Sequence, residues 1–164
     1  PGGYATDSDD IFRQISTYKK QYNVPVYAYV NGLCASGGVY IAVAADKILA
    51  SDTSLIGSVG VIAPTFMNFS KLLDKFGVDT MTISAGKEKD ALNPLRPWKE
   101  GEADNYKQII SYLYNDFVNV VVNNRPNMTK ERLVEEYGAR IYPAPLDTEF
   151  GFIDESGVSL REAM

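Results

Sequence analysis

The chain has 164 residues, enough for one ordinary domain with a single hydrophobic core. Sixteen basic and 21 acidic residues give a net charge of −5, and no cluster of Lys or Arg marks a surface for nucleic acid or anionic lipid. The sequence contains no histidine and one cysteine, Cys34. A Ser-His-Asp triad, a Cys-His dyad, a His-containing zinc site and a disulfide framework are therefore excluded within this chain.

The first half of the chain alternates helical and strand-like patterns. Apolar residues at helical spacing predict an amphipathic helix over 8–22, capped by Ser8 or Asp9. The apolar, Ala-rich run that follows Ser36 predicts a helix buried in the core. Short apolar runs predict strands, which cover 26–30, 48–50, 55–56 and 59–62. Residues 78–83 then alternate apolar and polar side chains.

The second half is mainly helical. The pattern predicts a helix over 68–76, the longest helix over 99–123, and another from Thr129 to Tyr137. A final strand follows Arg140, and a short helix follows Ser159. Together with the first half, these elements predict a parallel α/β layout.

The tetrapeptide Ala35-Ser36-Gly37-Gly38 places a serine between a strand-ending loop and the start of the buried helix. Free N–H groups at a helix N-terminus can stabilise an oxyanion, and glycines let a substrate backbone approach closely. From these four residues alone, a serine that only caps the helix is the more ordinary interpretation. Gly32 and Gly37 have the spacing of a P-loop, but Gly38-Val39 stands where that motif requires Lys-Ser/Thr. The motifs of a dinucleotide-binding loop and of a hydrolase nucleophile elbow are absent.

A serine nucleophile in a chain without histidine needs another base, and lysine is the partner in known Ser-Lys enzymes. Desolvation must then lower the pKa of that lysine from ~10.4 towards ~7–8. The loop over 84–90 offers Lys87 and Lys89 shortly before Pro94. Two solvated lysines on a polar loop are the ordinary alternative.

Several separate motifs along this chain, taken in order, resemble the signal peptide peptidase A family of bacterial serine peptidases. This is peptidase family S49, which includes SohB-like and protease IV-type members. The resemblance runs nearly end to end, and it departs from the family pattern at Tyr142-Pro143-Ala144-Pro145. It implies one catalytic domain over 1–164 with an α/β fold, a crotonase-like or Clp-protease-like spiral of β-β-α units. The matching segments are 1–3, 30–38, 44–48, 57–61, 86–90 and 151–154.

The resemblance also implies catalytic roles. Ser36 is expected to be the acyl-forming nucleophile and Lys89 its general base. A shift within the loop would make Lys87 the base instead. Ser58 is expected to hydrogen-bond the lysine amine.

The oxyanion hole implied by the resemblance consists of backbone donors. One is the N–H of Gly37, and the other comes from the turn of Gly2 and Gly3. No cofactor and no metal are expected.

The resemblance further implies peptide substrates, namely hydrophobic segments such as cleaved signal peptides or pieces of membrane proteins. The protein is expected to form a homo-oligomeric ring whose active sites neighbouring protomers can share, so the lysine acts either within one chain or between chains. The chain starts without Met, and we expect a soluble fragment of a longer protein that an anchor outside it holds at the bacterial cell membrane.

Two alternatives remain at this point. One is a non-catalytic ring of the same fold that only binds peptides. The other is a crotonase-type acyl-CoA enzyme, which normally needs a carboxylate as acid or base, and no Asp or Glu lies near Ser36 in the sequence.

Overall fold

The computed structural model describes residues 1–164, which form two compact units. The first unit contains 1–61 and 113–164, and the second contains 62–112. The single peptidase domain expected over 1–164 stays a prediction.

The elements alternate along the chain, as the sequence pattern predicts. The helices are α1 (Ala5–Tyr22), α2 (Gly37–Ala42), α3 (Ser70–Lys75), α4 (Asp104–Asn124), α5 (Ala144–Phe150), α6 (Leu160–Ala163) and a π-helix (Arg132–Tyr137). The strands are β1 (Tyr27–Val30), β2 (Leu33–Ala35), β3 (Lys47–Ala50), β4 (Leu55–Gly57) and β5 (Ile141–Pro143). The strand β2 and the helix α5 are absent from the sequence prediction.

The first unit contains two small sheets. In one, β1 and β3 pair in parallel, with Tyr27 opposite Lys47. In the other, β2 and β4 pair in parallel, and β5 joins β4 in the antiparallel sense. The parallel layout is therefore confirmed for β1–β4, and β5 departs from it.

Helix α1 begins earlier than predicted, since its N-cap is Tyr4 and not Ser8 or Asp9. Ser8 lies inside the helix, where its hydroxyl donates to the backbone oxygen of Tyr4 at 3.0 Å. The short helix predicted after Ser159 is confirmed as α6, and the side chains of Ser159 and Glu162 form a capping box at its start.

The core of the first unit lies among α2, the C-terminal half of α4, the π-helix and both sheets. These elements and the residues that follow α2 and α5 contribute buried apolar side chains: Val39, Tyr40, Val43, Ile48, Ile56, Phe117, Val118, Val121, Leu133, Tyr137, Phe152 and Ile153. The helix after Ser36 is therefore a core helix, as its apolar, Ala-rich sequence predicts.

The second unit contains α3, the start of α4 and a long irregular segment between them. No strand forms over 78–83, in spite of the alternating pattern there. The strand predicted over 59–62 is also wrong. Positive φ angles of 129° at Gly57 and 57° at Ser58 take the chain out of the β region just before it.

Candidate active site

Ser36 adopts an unusual backbone conformation at the start of α2. Its φ and ψ angles are 55° and −120°, a region that costs a non-glycine residue about 1–3 kcal/mol. Its N–H donates to the oxygen of Gly57 at 2.9 Å, and its own oxygen accepts from Val39 and Tyr40. Because both of those residues are buried in the core, α2 holds the strained residue in place.

The hydroxyl of Ser36 has no hydrogen-bond partner in the chain, although Ser36 occupies the N-cap position. The capping interpretation that the tetrapeptide suggests therefore has no hydrogen bond to support it. Ser36 is half-buried, so its side chain is both restricted and accessible.

The glycines expected near Ser36 lie close to it, Gly2 against Ser36 itself and Gly3 against Gly37. A Cβ added to Gly2 would lie 2.8 Å from Cβ and 3.1 Å from Oγ of Ser36. The nitrogen of Gly3 lies 3.1 Å from the position that a Cβ on Gly37 would occupy. The N–H groups of Gly3 and Gly37 have no acceptor within the chain. Two N–H groups without an acceptor therefore belong to residues close to the serine, and an oxyanion hole is built from such donors.

Ser58 directly follows Gly57, whose backbone oxygen accepts the hydrogen bond from the N–H of Ser36. Its N–H donates to the oxygen of Arg140 at 2.6 Å, and its hydroxyl has no partner within the chain. The structure thus brings Ser58, Ser36, Gly37, Gly2 and Gly3 together in the first unit.

Lys89 belongs to the second unit, where its side chain is exposed and forms no ion pair. The side chain of Lys87 is 92% exposed, and its amine lies 3.9 Å from the carboxylate of the adjacent Glu88. Of the two candidate bases, Lys89 is the one whose amine is free of a neighbouring carboxylate.

A network around Arg96 anchors the loop that carries Lys89. The Arg96 guanidinium donates to the side chain and to the backbone oxygen of Asp90, both at 2.8 Å, and it also binds Glu102. Its side-chain hydrogen bond to Arg96 lowers the pKa of Glu102 to about 2. The corresponding bond between Arg96 and Asp90 lowers the pKa of Asp90 below its usual range. Asp90 directly follows Lys89, so the guanidinium fixes the backbone next to the candidate base.

Asp147 is a residue that the sequence analysis missed. It is fully buried, and neither carboxyl oxygen has a hydrogen-bond partner. Burial raises the pKa of Asp147 to about 8. Asp147 lies three residues after Ala144, a spacing that places both on the same face of a helix. Both residues are fully buried, so this is the inner face of α5.

Cys34 is half-buried on β2, and burial raises the pKa of its thiol to about 11. The thiol is therefore protonated near neutral pH, so Cys34 is a small packing residue rather than a nucleophile.

Neither a metal site nor a membrane span is evident in the chain. No three His, Cys, Asp or Glu side chains are grouped so as to bind a metal ion. Helices that combine the length and the apolar composition needed to cross a bilayer are absent.

Comparison with known proteins identifies the family. The sequence profile described as Peptidase family S49 matches residues 18–162. The chain belongs to peptidase family S49. The resemblance noted in the sequence is thereby confirmed.

Relatives occur in bacteria and plants. A protein of Enterococcus faecium named as a signal peptide peptidase SppA is 35% identical over 159 residues, which cover 97% of this chain and 45% of that protein. The chloroplastic serine protease SPPA of Arabidopsis thaliana is 33% identical over 158 residues, which cover 96% of this chain and 23% of that protein. The chain thus spans about half or less of the length of these relatives.

A solved structure of a membrane-bound stomatin-specific protease shares the fold. A lysine-to-alanine mutant of it, in complex with a substrate peptide, is 17% identical, with a TM-score of 0.55 over 99% of this chain and 59% of that one. A serine-to-alanine mutant of the same protease gives a TM-score of 0.53. The predicted fold class, a crotonase-like or Clp-protease-like α/β fold, is confirmed.

Proposed function

We propose that this chain is the catalytic part of a serine endopeptidase that uses a Ser-Lys dyad, with Ser36 as nucleophile and Lys89 as general base. One observation carries the proposal. The strained Ser36 presents a free hydroxyl beside the unpaired N–H groups of Gly37 and Gly3. A serine that had only a capping role would not need this arrangement.

The reaction follows from these groups. Oγ of Ser36 attacks the carbonyl carbon of the scissile peptide bond while Nζ of Lys89 takes the hydroxyl proton. The negative oxygen of the tetrahedral intermediate accepts hydrogen bonds from the N–H groups of Gly37 and Gly3. Lys89 then gives the proton to the leaving amine, and a water molecule hydrolyses the acyl-enzyme by the same route. Ser58 holds the lysine amine by a hydrogen bond.

Lys89 must be unprotonated to act as a base, and a lysine loses its proton near neutral pH only when it is shielded from water. The side chain of Lys89 is exposed within its own unit. Bound substrate or assembly with further copies therefore has to supply the shielding. We propose a homo-oligomeric ring for this reason.

The proposed substrates are extended, hydrophobic peptides such as cleaved signal peptides. The name of the Enterococcus faecium relative supports this substrate class. The stomatin-specific protease was solved with a substrate peptide, and its two mutants replace a serine and a lysine. A serine and a lysine are therefore the residues to test here as well.

The crotonase-type alternative requires a carboxylate that touches the substrate. Asp147 lies in the same unit as Ser36, but it is fully buried and cannot contact an acyl-CoA. Hydrolysis of a peptide amide but not of a CoA thioester would support the peptidase.

The deciding experiment is labelling with a fluorophosphonate probe. We expect labelling of the wild type to be lost in Ser36→Ala and Lys89→Ala and kept in Lys87→Ala, the matched control from the same loop. Loss in Lys87→Ala with retention in Lys89→Ala would assign the base to Lys87. An assembled wild type that takes no label would contradict the peptidase and favour the peptide-binding scaffold.

A further inference from the structure

Asp147 is the only residue whose buried side-chain polar atoms lack a hydrogen-bond partner, and the proposed mechanism does not use it. Uncompensated burial of a carboxylate is strongly unfavourable. A fold that retains such a group keeps it protonated, and the raised pKa of Asp147, about 8, agrees with this.

The surroundings of Asp147 contain no compensating charge. Helix α5, which carries it, packs against β4 and β5. On β2, the titratable group close enough to interact electrostatically with the carboxyl is the neutral thiol of Cys34. From β4, the N–H of Ile56 faces the carboxyl without completing a hydrogen bond, and β4 has no titratable side chain. From β5, the hydroxyl of Tyr142 donates elsewhere, to the oxygen of Tyr137 at 3.0 Å.

The strands beside Asp147 lead directly to Ser36. Cys34 on β2 pairs with Ile56 on β4, and both strands end one residue later. At these ends the N–H of Ser36 donates to the oxygen of Gly57. The pair of strands that faces the buried carboxyl therefore also holds the backbone of the proposed nucleophile.

We propose that Asp147 is a positioning residue for Ser36. While the carboxyl is neutral, α5 packs against β4, an arrangement that the hydrogen bond from Ala144 N–H to Ser54 O at 2.9 Å also supports. Ionisation favours movement of the carboxylate towards water, which separates α5 from β4 and loosens the contact between Ser36 and Gly57. The activity part of this inference rests on the proposed function, whereas the structural part does not.

The first arm of the test is the pH profile of fluorophosphonate labelling between about pH 6 and about pH 10. We compare wild type, Asp147→Asn and Glu149→Gln, a matched control that removes an exposed carboxylate from the same helix. The labelling rate of the wild type and of Glu149→Gln should fall about tenfold per pH unit above an apparent pKa near that of the Asp147 carboxyl. Asp147→Asn should lack this alkaline limb. A wild type that labels without an alkaline limb, or an unchanged limb in Asp147→Asn, overturns the inference.

The second arm is hydrogen exchange of the peptides that contain Ser36 and Gly57, at pH 7 and at pH 9.5, corrected for the intrinsic pH dependence of exchange. The wild type should lose protection there at the higher pH while circular dichroism stays native, and Asp147→Asn should keep it. If wild type and Asp147→Asn are equally protected at the higher pH, the inference is overturned, whether or not the protein takes the label. Loss of protection in the wild type alone, without any labelling, supports it and contradicts the proposed function.

Two further measurements guard against a variant that does not fold. Asp147→Leu, which also removes the charge, replaces Asp147→Asn in both arms if the latter is unfolded. The infrared band of a protonated carboxyl should be present in the wild type at pH 6 and disappear as the pH is raised. Its absence at pH 6 would show an ionised Asp147 and overturn the inference.

Discussion

The backbone of Gly3 is the most direct point at which to test the proposed oxyanion hole. Its nitrogen lies beside Gly37, and its N–H has no acceptor within the chain. A Cβ added to Gly3 would meet no atom within 4 Å. A substitution that only adds a side chain can therefore be separated from one that also removes the donor.

Replacement of Gly3 by proline should reduce the rate of acylation of Ser36 by about 10²–10³-fold, because proline has no N–H to donate. Gly3→Ala keeps the donor and should label at nearly the wild-type rate. The measurement is the labelling rate of both variants at equal thermal stability. Equal rates for proline and alanine would show that Gly3 is not a donor.

Gly2 tests the steric side of the same turn. A Cβ there would lie 2.8 Å from Cβ of Ser36, closer than real Cβ atoms approach, so the serine or the turn must shift. Displacement of a nucleophile by about 1 Å costs about a hundredfold in rate, and we expect this loss for Gly2→Ala. Gly3→Ala again serves as the control, and wild-type labelling by Gly2→Ala would show that the site tolerates the shift.

At the scale of elements, the loop that carries Lys89 depends on Arg96. Its guanidinium binds Asp90, next to Lys89, and Glu102 at the same time. Arg96→Ala should lower kcat of peptide hydrolysis by about a hundredfold with little change in KM, because it misplaces the base rather than the substrate.

The planar fork of arginine is needed to bind two carboxylates, so Arg96→Lys should not restore kcat. Lys99→Ala removes a cation from the same loop that forms no ion pair, and it should leave kcat unchanged. Full activity in Arg96→Lys would indicate that charge alone positions the loop.

An ion pair between the buried Arg125 and the partly exposed Asp154 links the end of α4 to the segment after α5. Arg125 donates to both carboxylate oxygens of Asp154, at 2.9 and 3.0 Å, and Asp154 also accepts from the N–H of Ile48. Asp154→Ala leaves the buried Arg125 without its partner and should lower the free energy of unfolding by about 3 kcal/mol. Glu155→Ala, an exposed neighbour without an ion pair, is the control in urea denaturation.

The contribution of this pair depends on pH. Burial alone would raise the pKa of Asp154, but hydrogen bonding to Arg125 outweighs it and lowers the pKa below the value of an unfolded chain. The stabilisation is therefore present above about pH 4 and is lost as the pH falls below it. The difference in unfolding free energy between wild type and Asp154→Ala should shrink in that range, and a constant difference would contradict the assignment.

The sequence predicts most elements because their patterns are local. Helix α2 follows from its apolar, Ala-rich run, and α6 begins directly after Ser159, as predicted. The start of α1 was wrong because Ser8 can hydrogen-bond either as a cap or within a helix, and it does the latter. Strand β2 has three residues, too few to show a period.

Local patterns predict the candidate site less completely. The glycines next to Ser36 were expected from the family resemblance, and the structure places Gly2 against Ser36 although they are 34 residues apart in the sequence. Asp147 was missed because its burial depends on the packing of α5 against β4, a contact between distant segments. No window of the sequence contains that information.

At the scale of the whole molecule, the two proposed catalytic residues belong to different compact units, Ser36 to the first and Lys89 to the second. If a neighbouring protomer supplies the lysine, each active site needs one intact serine from one chain and one intact lysine from another. A mixture of two inactive variants, one without the serine and one without the lysine, can therefore regain labelling only if sites are shared between chains.

Mixed rings of Ser36→Ala and Lys89→Ala, unfolded and reassembled together in equal amounts, distinguish the two cases. With shared sites, half of the serines and half of the lysines are intact, so about a quarter of the sites should label, all on Ser36 of the Lys89→Ala chains. With self-sufficient chains, no site contains both residues and the mixture should stay unlabelled. Separately reassembled variants are the control, and size-exclusion chromatography must first show that each sample has the assembly state of the wild type.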